Sequence, residues 1–518
     1  MSSDAVIPCL EESKPPIIST RGKQGEGNEN DESEQDIGGW TPLLVLAGAT
    51  CCFGSALPAG YNIGVVNNPA DIIKEFCNNS IEAQYNIKIT KDQLKFIWSV
   101  VVSISLIGGV TGSLMASCIA DKYGRRLGLA IGNIFGFIGA ILFLITPASK
   151  SVEVLIAGRL MVGFSGGIAT SLLSMYMMEI APLRQRGAVG VFCQLGITVG
   201  VFLGQVAGLD SVLGTTNSWH IMLASFAPLC IIAFILLYFL PESPKYLYLI
   251  KHKKEEAIQG LLRLRNVHIN LLQKEIQSLH HESTVNSTID SWSIGRVLKD
   301  PSLRLPLLLV SSLQLGQPLS GINSVFYYST EIFKTAQLTR IQSQYATLGT
   351  GVINIAMAVI SVRIMSHFGR RTLFFCSSYA SAACLVVLAL GYHYIAHGSI
   401  MIWLCTASVL IYVLTYGLGL GPIPYFIASE LFDVGPRPAA MAIGSVCNWG
   451  GNFIVGLLFP SIFNVIGAFT FLIFVAFIII VALFMRTYLP ETRNVDTTII
   501  TAQLSYGFKS RPNPISNA

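Results

Sequence analysis

The sequence predicts an all-α membrane protein: twelve transmembrane helices in two pseudo-symmetric six-helix halves. Three observations predict it. Of 518 residues, 52% are hydrophobic and only 12% charged, with a mean hydropathy of +0.58, far from the roughly 25% charged norm of soluble domains. Apolar runs such as LCIIAFILLYFL and FLIFVAFIIIVALFM belong to stretches long enough for the about 20 residues that a bilayer crossing needs. Finally, three different words recur in one order at nearly one spacing. Gly124 of DKYGRR and Gly369 of HFGRR are 245 apart (369 − 124), Glu179 and Glu430 are 251 apart (430 − 179), and PESPK at 241 and PETR at 490 are 249 apart (490 − 241). That is an internal duplication of a six-helix unit with each word at a helix end. Anchoring by positive charge alone would explain the Lys and Arg but not the recurring Gly, Glu and Pro.

Residues 1–38 are polar, rich in Glu, Asn and Gly and without a secretory apolar core, so they read as a disordered cytoplasmic tail, and the first helix as its own uncleaved signal. The apolar segments follow at 41–66, 95–119, 127–146, 154–179, 188–209 and 219–240, then at 304–330, 345–365, 372–391, 399–429, 439–462 and 468–488. The N-terminal half is therefore 39–240, the C-terminal half 303–488 and a cytoplasmic tail 489–518. Between the halves, 241–302 holds KHKKEEAIQGLLRLR and LLQKEIQSLHH, which have the apolar spacing of short amphipathic helices.

Charge fixes the orientation. Counting twelve crossings puts Lys122, Arg125, Arg126, Arg184, Arg186, the 241–302 stretch, Arg370, Arg371 and Arg437 on one side, leaving mainly Lys74, Lys88, Lys91, Lys150, Lys334 and Arg340 on the other. The positive-inside bias makes the first side, with both termini, cytoplasmic. The net charge of +5 is small beside this asymmetry. Asn78-Asn79-Ser80 is then a glycosylation sequon in the first outer loop, whereas Asn286-Ser287-Thr288 faces the cytoplasm and goes unused. Of eleven cysteines only Cys77 falls in an outer loop, so no disulfide framework is implied. A duplicated bundle places a site near the midplane between its halves, the default transporter architecture.

The repeated words read as a latch. Glu179 and Glu430 supply carboxylates at helix ends, and each GRR supplies two guanidinium forks, Arg125 with Arg126 and Arg370 with Arg371, that match carboxylates bidentately. Asp121, Arg186, Glu242, Arg437 and Glu491 join this cytoplasmic gate network, and Arg159 is read as a further partner of Glu179. One exposed pair contributes only about 0 to 1 kcal/mol, but a few kcal/mol suffices to bias two nearly equal states.

GYNIGVVN (60–67), DKYGRR, GRLMVGFSGG (158–167), EIAPLRQRG, QLG (194–196), PESPKYL, QPLSGINSVFYYST (317–330), GPIPYF (421–426), GPRPAA, NWGGNF (448–453) and PETR together resemble the sugar porter branch of the major facilitator superfamily, most closely its animal facilitative glucose transporters. The similarity runs in order over about residues 40 to 495. It implies the major facilitator fold, a plasma-membrane location with both termini inside, transport of D-glucose and related hexoses by alternating access, and no cofactor or metal. The partners it implies are a hexose and the bilayer, with no nucleic acid; protein partners are not legible. It also implies that Gln194, Gln317, Asn323, Asn354 and Asn452 line the sugar site, with Trp449 and, more weakly, Trp98 as aromatic walls.

The chemistry agrees. A sugar hydroxyl both donates and accepts, and a side-chain amide does both from one planar group. Gln194, Gln314, Gln317, Asn323, Asn354, Asn448 and Asn452 are all intramembrane amides. Gln314 and Gln317 share a helical face, as do Asn448 and Asn452. Asn323 lies about 120° off the Gln317 face on an ideal helix, and joins it only if the helix unwinds near Pro318 and Gly321. The plainer alternative is bonding between helices. For a single amide the two readings stand equal, and for the cluster sugar contact is favoured. A Gln at 314 goes, in the family, with a preference for glucose over fructose.

Some positions depart from the family. Pro318 stands for a second Gln, Tyr425 for the Trp after GPIP where a substrate contact is expected, Gly417 and Ser366 for acids, and Gly316 for Ser. Proton-coupled relatives place an Asp where this chain has Asn62, which cannot titrate, so passive transport follows and proton symport is the alternative. A non-transporting sugar receptor is disfavoured by the short tail, a channel by the lack of charged rings, and an enzyme by the lack of a nucleophile with a base, a metal cluster or a phosphate loop.

Overall fold

In a bilayer every backbone N–H and C=O must be satisfied within the protein, which leaves the helix as the available form for single apolar segments. The structure, a computed structural model, describes residues 39–66, 69–209, 211–285, 292–326, 333, 338–395 and 398–510. Six of the spanning helices are Pro42–Gly64 (α1), Lys91–Tyr123 (α3), Arg125–Ser149 (α4), Val152–Ile180 (α5), Leu183–Ala207 (α6) and Trp219–Phe239 (α7). A helix that is not among the spans, Ala70–Tyr85 (α2), separates α1 from α3, where the sequence predicted only a loop. The polar segment forms Lys254–Arg265 (α8), Gln273–Val285 (α9) and Ile294–Lys299 (α10).

The second set of spans is less regular. Its first helix, Arg304–Leu319 (α11), stops at a turn over Ser320 and Gly321 before residues 322–326 resume as helix. Arg340–His367 (α12) and Arg370–His393 (α13) are continuous. The next span breaks at Gly419–Pro422 into Ser399–Leu418 (α14) and Ile423–Leu431 (α15). The last apolar stretch, Arg437–Tyr488, is 52 residues long and folds as two helices, Arg437–Ile466 (α16) and Thr470–Tyr488 (α17), with Gly467 turning the chain at φ +58°. Among the described residues these elements make twelve spans, and Thr497–Leu504 (α18) follows them.

Close packing rests on small residues where apolar side chains gain nothing over lipid. A Cβ at Gly163 of α5 would lie 1.9 Å from the Ser105 carbonyl oxygen of α3, so any larger residue there would push these two helices apart. Between the two sets of spans, α3 and α5 pack on α16, and α6 packs on α12. These seams frame the site.

Candidate substrate cavity and the basic-face network

A cavity opens between the two sets of helices and is lined from both. Its polar lining is Thr170, Gln194, Thr198, Gln317, Asn323, Asn354, Asn448 and Asn452, and its aromatic lining is Phe326, Tyr416, Tyr425 and Trp449. Sequence reading had singled out neither the hydroxyls Thr170 and Thr198 nor Tyr416 and Phe326. Alone, each looks like an ordinary helix residue, and only convergence from different helices marks it.

The break after α11 puts Asn323 in the cluster. Gly321 turns at φ +89°, a conformation that glycine adopts without strain, and the Asn323 amide then donates to Asn452 Oδ1. Asn452 Nδ2 donates in turn to the Asn448 carbonyl (3.0 Å) and Oδ1 (3.1 Å). Asn448 Nδ2 reaches the Gln314 carbonyl at 3.2 Å and the Gln317 Oε1, and Gln317 Nε2 donates to the Gly421 carbonyl at 2.9 Å, in the break between α14 and α15. Four of the amides therefore bond one another and link α11 and the 322–326 segment to α16. Gln194 Nε2 spends its bond on Thr198, one turn along its own helix (3.2 Å). Asn354 differs: its Oδ1 is buried and finds no hydrogen-bond partner among the described residues. An orphaned buried acceptor is costly, and Asn354 lines the cavity.

Two expected members lie elsewhere. Gln314 is buried but off the cavity, its Nε2 donating to the Pro424 carbonyl at 2.8 Å. It shares the Gln317 face as predicted, yet sits one turn nearer the end of the bundle that carries the GRR words, where the backbone at Pro424 meets it. Trp98 is not a cavity wall either, because it lies under Lys74 of α2, 5.5 Å from the ring centre.

The GRR words lie at one end of the bundle, here called the basic face, and each repeat builds the same junction. Arg125 Nε lies 3.0 Å from Glu179 Oε2 and its NH2 3.2 Å from Oε1, while its NH1 reaches the Ala120 carbonyl. Arg370 reaches Glu430 Oε1 at 2.9 Å and, with NH1, the Met365 carbonyl. Glu242 accepts the backbone N–H groups of Arg125 and Arg126, as Glu491 does those of Arg370 and Arg371, each carboxylate capping the next helix at its positive end. Ser243 and Thr492 donate to Glu179 and Glu430 respectively. Burial pushes the Glu242 carboxyl above the ordinary carboxylate range, although these N–H groups pull the other way.

Three expectations change here. Among the described residues, the guanidinium of the second arginine of each word meets no carboxylate: that of Arg126 donates to the Tyr238 and Leu240 carbonyls, and that of Arg371 to those of Leu489 and Arg486. Arg159 is not part of this network. It is 20 residues before Glu179 on one continuous helix, about 30 Å away at 1.5 Å per residue, and donates instead to the Asn62 and Val101 carbonyls and to Ser105 Oγ (3.0, 3.3 and 3.1 Å). Asp121 makes no ion pair closer than 4.0 Å among the described residues, and its Oδ1 is buried without a hydrogen bond.

A bond joins the two repeats at this face, from Arg437 NH1 at the start of α16 to Glu179 Oε1 at the end of α5 (3.3 Å). Its symmetry counterpart would run from Arg186 to Glu430. No hydrogen bond joins that pair among the described residues, and Arg186 Nε is unpaired. At the opposite face, Asn78 is half-buried on α2 and Ser80 of its sequon is buried, its hydroxyl donating to the Lys150 carbonyl (2.6 Å). Asn286 lies outside the described residues.

Twelve spans, a duplicated charge junction at one face and an uncharged polar cavity between the repeats define a membrane carrier of the major facilitator type. Residues 48–503 match the family described as Sugar (and other) transporter, and the chain belongs to it. It is 38% identical over 453 residues to the facilitated glucose transporter member 3 of Mus musculus, covering 88% of this chain and 91% of that one, and 37% identical to member 14 of Homo sapiens, covering 88% and 86%. Among solved structures, the proton:xylose symporter XylE bound to 6-bromo-6-deoxy-D-glucose superposes with a TM-score of 0.75 at 24% identity, over 89% of this chain and 98% of that chain. The inward-open form of the E. coli protein gives 0.65 at 24% identity, over 88% and 98%. These two show the shared fold.

Proposed function

We propose that the chain carries D-glucose and related hexoses passively across the plasma membrane by alternating access, with the basic face and both termini in the cytoplasm. One observation carries this reading: among the described residues, the cavity is lined by amides, hydroxyls and aromatic rings and by no carboxylate, histidine, lysine or arginine. Such a lining suits a neutral polyol and holds no group that could carry a proton with it. Asn62, next to Arg159 in an adjoining pocket, cannot take a proton either. The likeness to facilitated glucose transporters supports the same assignment.

In this reading the halves are 39–240 and 303–488, joined by 241–302. The cavity amides exchange bonds with one another for bonds with the sugar, Trp449 and Tyr425 close its walls, and the Arg437 to Glu179 bond holds the cytoplasmic side shut until the halves rock. Asn78 on α2 faces outside. Because Ser80 is buried once α2 packs, a glycan there is added before that packing.

Uptake of labelled glucose into cells lacking hexose carriers should be saturable, unaffected by a protonophore or by sodium removal, and should stop at equal concentrations inside and out. Accumulation above equilibrium that a protonophore abolishes would replace uniport with proton symport, and sugar binding without uptake would make the protein a receptor. Because the Asn354 Oδ1 is the acceptor left open, Asn354→Ala should weaken glucose competition about two- to tenfold, the range of one neutral hydrogen bond, with surface expression unchanged. An unaltered half-saturation constant would remove Asn354 from the sugar site.

A further inference from the structure

Between the cavity and the Arg437 to Glu179 bond, a second set of side chains crosses the same seam. Ser445 of α16 lies 2.8 Å from Ser113 Oγ of α3 and 3.0 Å from Thr170 Oγ1 of α5. Trp449, one turn further along α16, donates its indole N–H to Thr170 Oγ1 at 3.2 Å. Ser113 Oγ also lies 2.7 Å from the Gly109 carbonyl on its own helix. All four side chains are buried, and Ser113 is 0% and Ser445 3% exposed. Each hydroxyl has one hydrogen to give. One arrangement uses every hydrogen once: Trp449 to Thr170, Thr170 to Ser445, Ser445 to Ser113, and Ser113 to the Gly109 carbonyl.

We propose that Ser445 is a positioning residue for transport: it ties the cavity wall at Trp449 and Thr170 to α3 whenever the basic face is closed, forming a second closure beneath the sugar. This rests on the carrier reading above. Along α16, Ser445 is eight residues from Arg437, and along α5 Thr170 is nine from Glu179, so the two ties stand about 12 to 14 Å apart on one seam. Opening the basic face must part both. The hydroxyl tie is built to part cheaply, because Ser113 keeps its bond to the Gly109 carbonyl and Thr170 can turn to the Gly166 carbonyl at 3.0 Å, and no buried polar group on α3 or α5 is then stranded. Parting the Glu179 tie leaves that carboxylate with Arg125 and Ser243 but takes from the buried Arg437 guanidinium its only carboxylate partner among the described residues. The two differ in kind: the charged bond sets the closed state, and the hydroxyl chain couples it to the group that contacts the sugar.

Hydrogen–deuterium exchange on the purified full-length protein tests this, because exchange reads opening of the seam directly. In Ser445→Ala, peptides over 171–182 and 437–446 should exchange roughly two- to tenfold faster, as expected for loss of one or two neutral hydrogen bonds, while peptides of α2 and α7 at the far face stay at their wild-type rate. Ser113→Ala should shift the same peptides in the same direction. The double variant should be no faster than Ser445→Ala alone, because both changes remove one shared bond. If Ser445→Ala does not accumulate, Ser113→Ala alone gives the reading. Unchanged exchange at the seam, faster exchange throughout the protein, or multiplying effects in the double variant would each overturn the proposal. Failure of wild-type glucose uptake would instead overturn the carrier reading.

Discussion

Replacing Glu179 by Gln should lower the thermal midpoint of the purified protein more than any other single change at the basic face. Glu179 is fully buried and meets two guanidinium groups, Arg125 at 3.0 Å and Arg437 at 3.3 Å, both themselves buried. Removing one partner of a buried ion pair costs about 3 to 5 kcal/mol, because the remaining charge stays desolvated. Here two charges remain. Among the described residues Glu430 pairs with one guanidinium, that of Arg370, so Glu430→Gln provides the internal comparison and should cost less. A second effect separates the two: only Glu179 holds a bond that crosses between the repeats, so only its loss should also raise exchange along α5 and α16. Equal midpoints for the two variants would mean that Arg437 contributes nothing, and a midpoint unchanged from wild type in Glu179→Gln would remove the buried junction from the stability of the fold.

The same junction shows what a sequence carries and what it does not. Charge at helix ends and three repeated spacings were enough to predict twelve spans in two similar sets, because bilayer length and positive-side bias act on local composition. That Arg125 and Arg370, and not Arg126 and Arg371, meet the carboxylates depends on which way each side chain leaves the first turn of its helix, and no spacing in the sequence encodes it. Arg159 is a different case. Twenty residues on one helix already separate it from Glu179 by about 30 Å, so its absence from the network could have been deduced.

At the cavity, composition picked out the amides, and the structure divides them. Gln317, Asn323, Asn448 and Asn452 bond one another, Gln194 bonds its own helix, and Asn354 keeps an open acceptor. The bonds between helices that the sequence left open are present in the structure, and contact with sugar is the role proposed for the same side chains on the cavity wall. Gln314, the one residue on which a glucose-over-fructose preference was argued, spends its amide on Pro424, so any such preference must come from residues that do line the cavity. Ser113 and Ser445 were invisible in the sequence, because a lone serine in a spanning helix can satisfy itself on its own backbone.

Gly321→Ala should abolish most transport and reduce the amount of folded protein, a larger effect than loss of any one cavity amide. The position has φ +89°, which costs an L-residue about 1 to 2 kcal/mol in the left-handed region. An added Cβ would also lie 2.3 Å from Phe474 Cδ2, and Phe474 is held in a stack with Phe459 at 6.1 Å, so the ring cannot step aside without disturbing its neighbour. Overpacking of that kind typically adds about 1 to 3 kcal/mol. If the turn yields and α11 continues as regular helix, Asn323 rotates about 120° from the Gln317 face and its bond to Asn452 is lost, so protein that survives should bind glucose more weakly as well. Gly316→Ala is the control, since the nearest atoms to its Cβ would be those of the Val481 side chain, from 3.1 Å, within a regular helix where Ala is favoured. The comparison is glucose competition and thermal midpoint for both variants. Matching losses in the two would show that the region tolerates no added methyl anywhere, whereas wild-type behaviour of Gly321→Ala would show that the break after α11 is not needed to place Asn323.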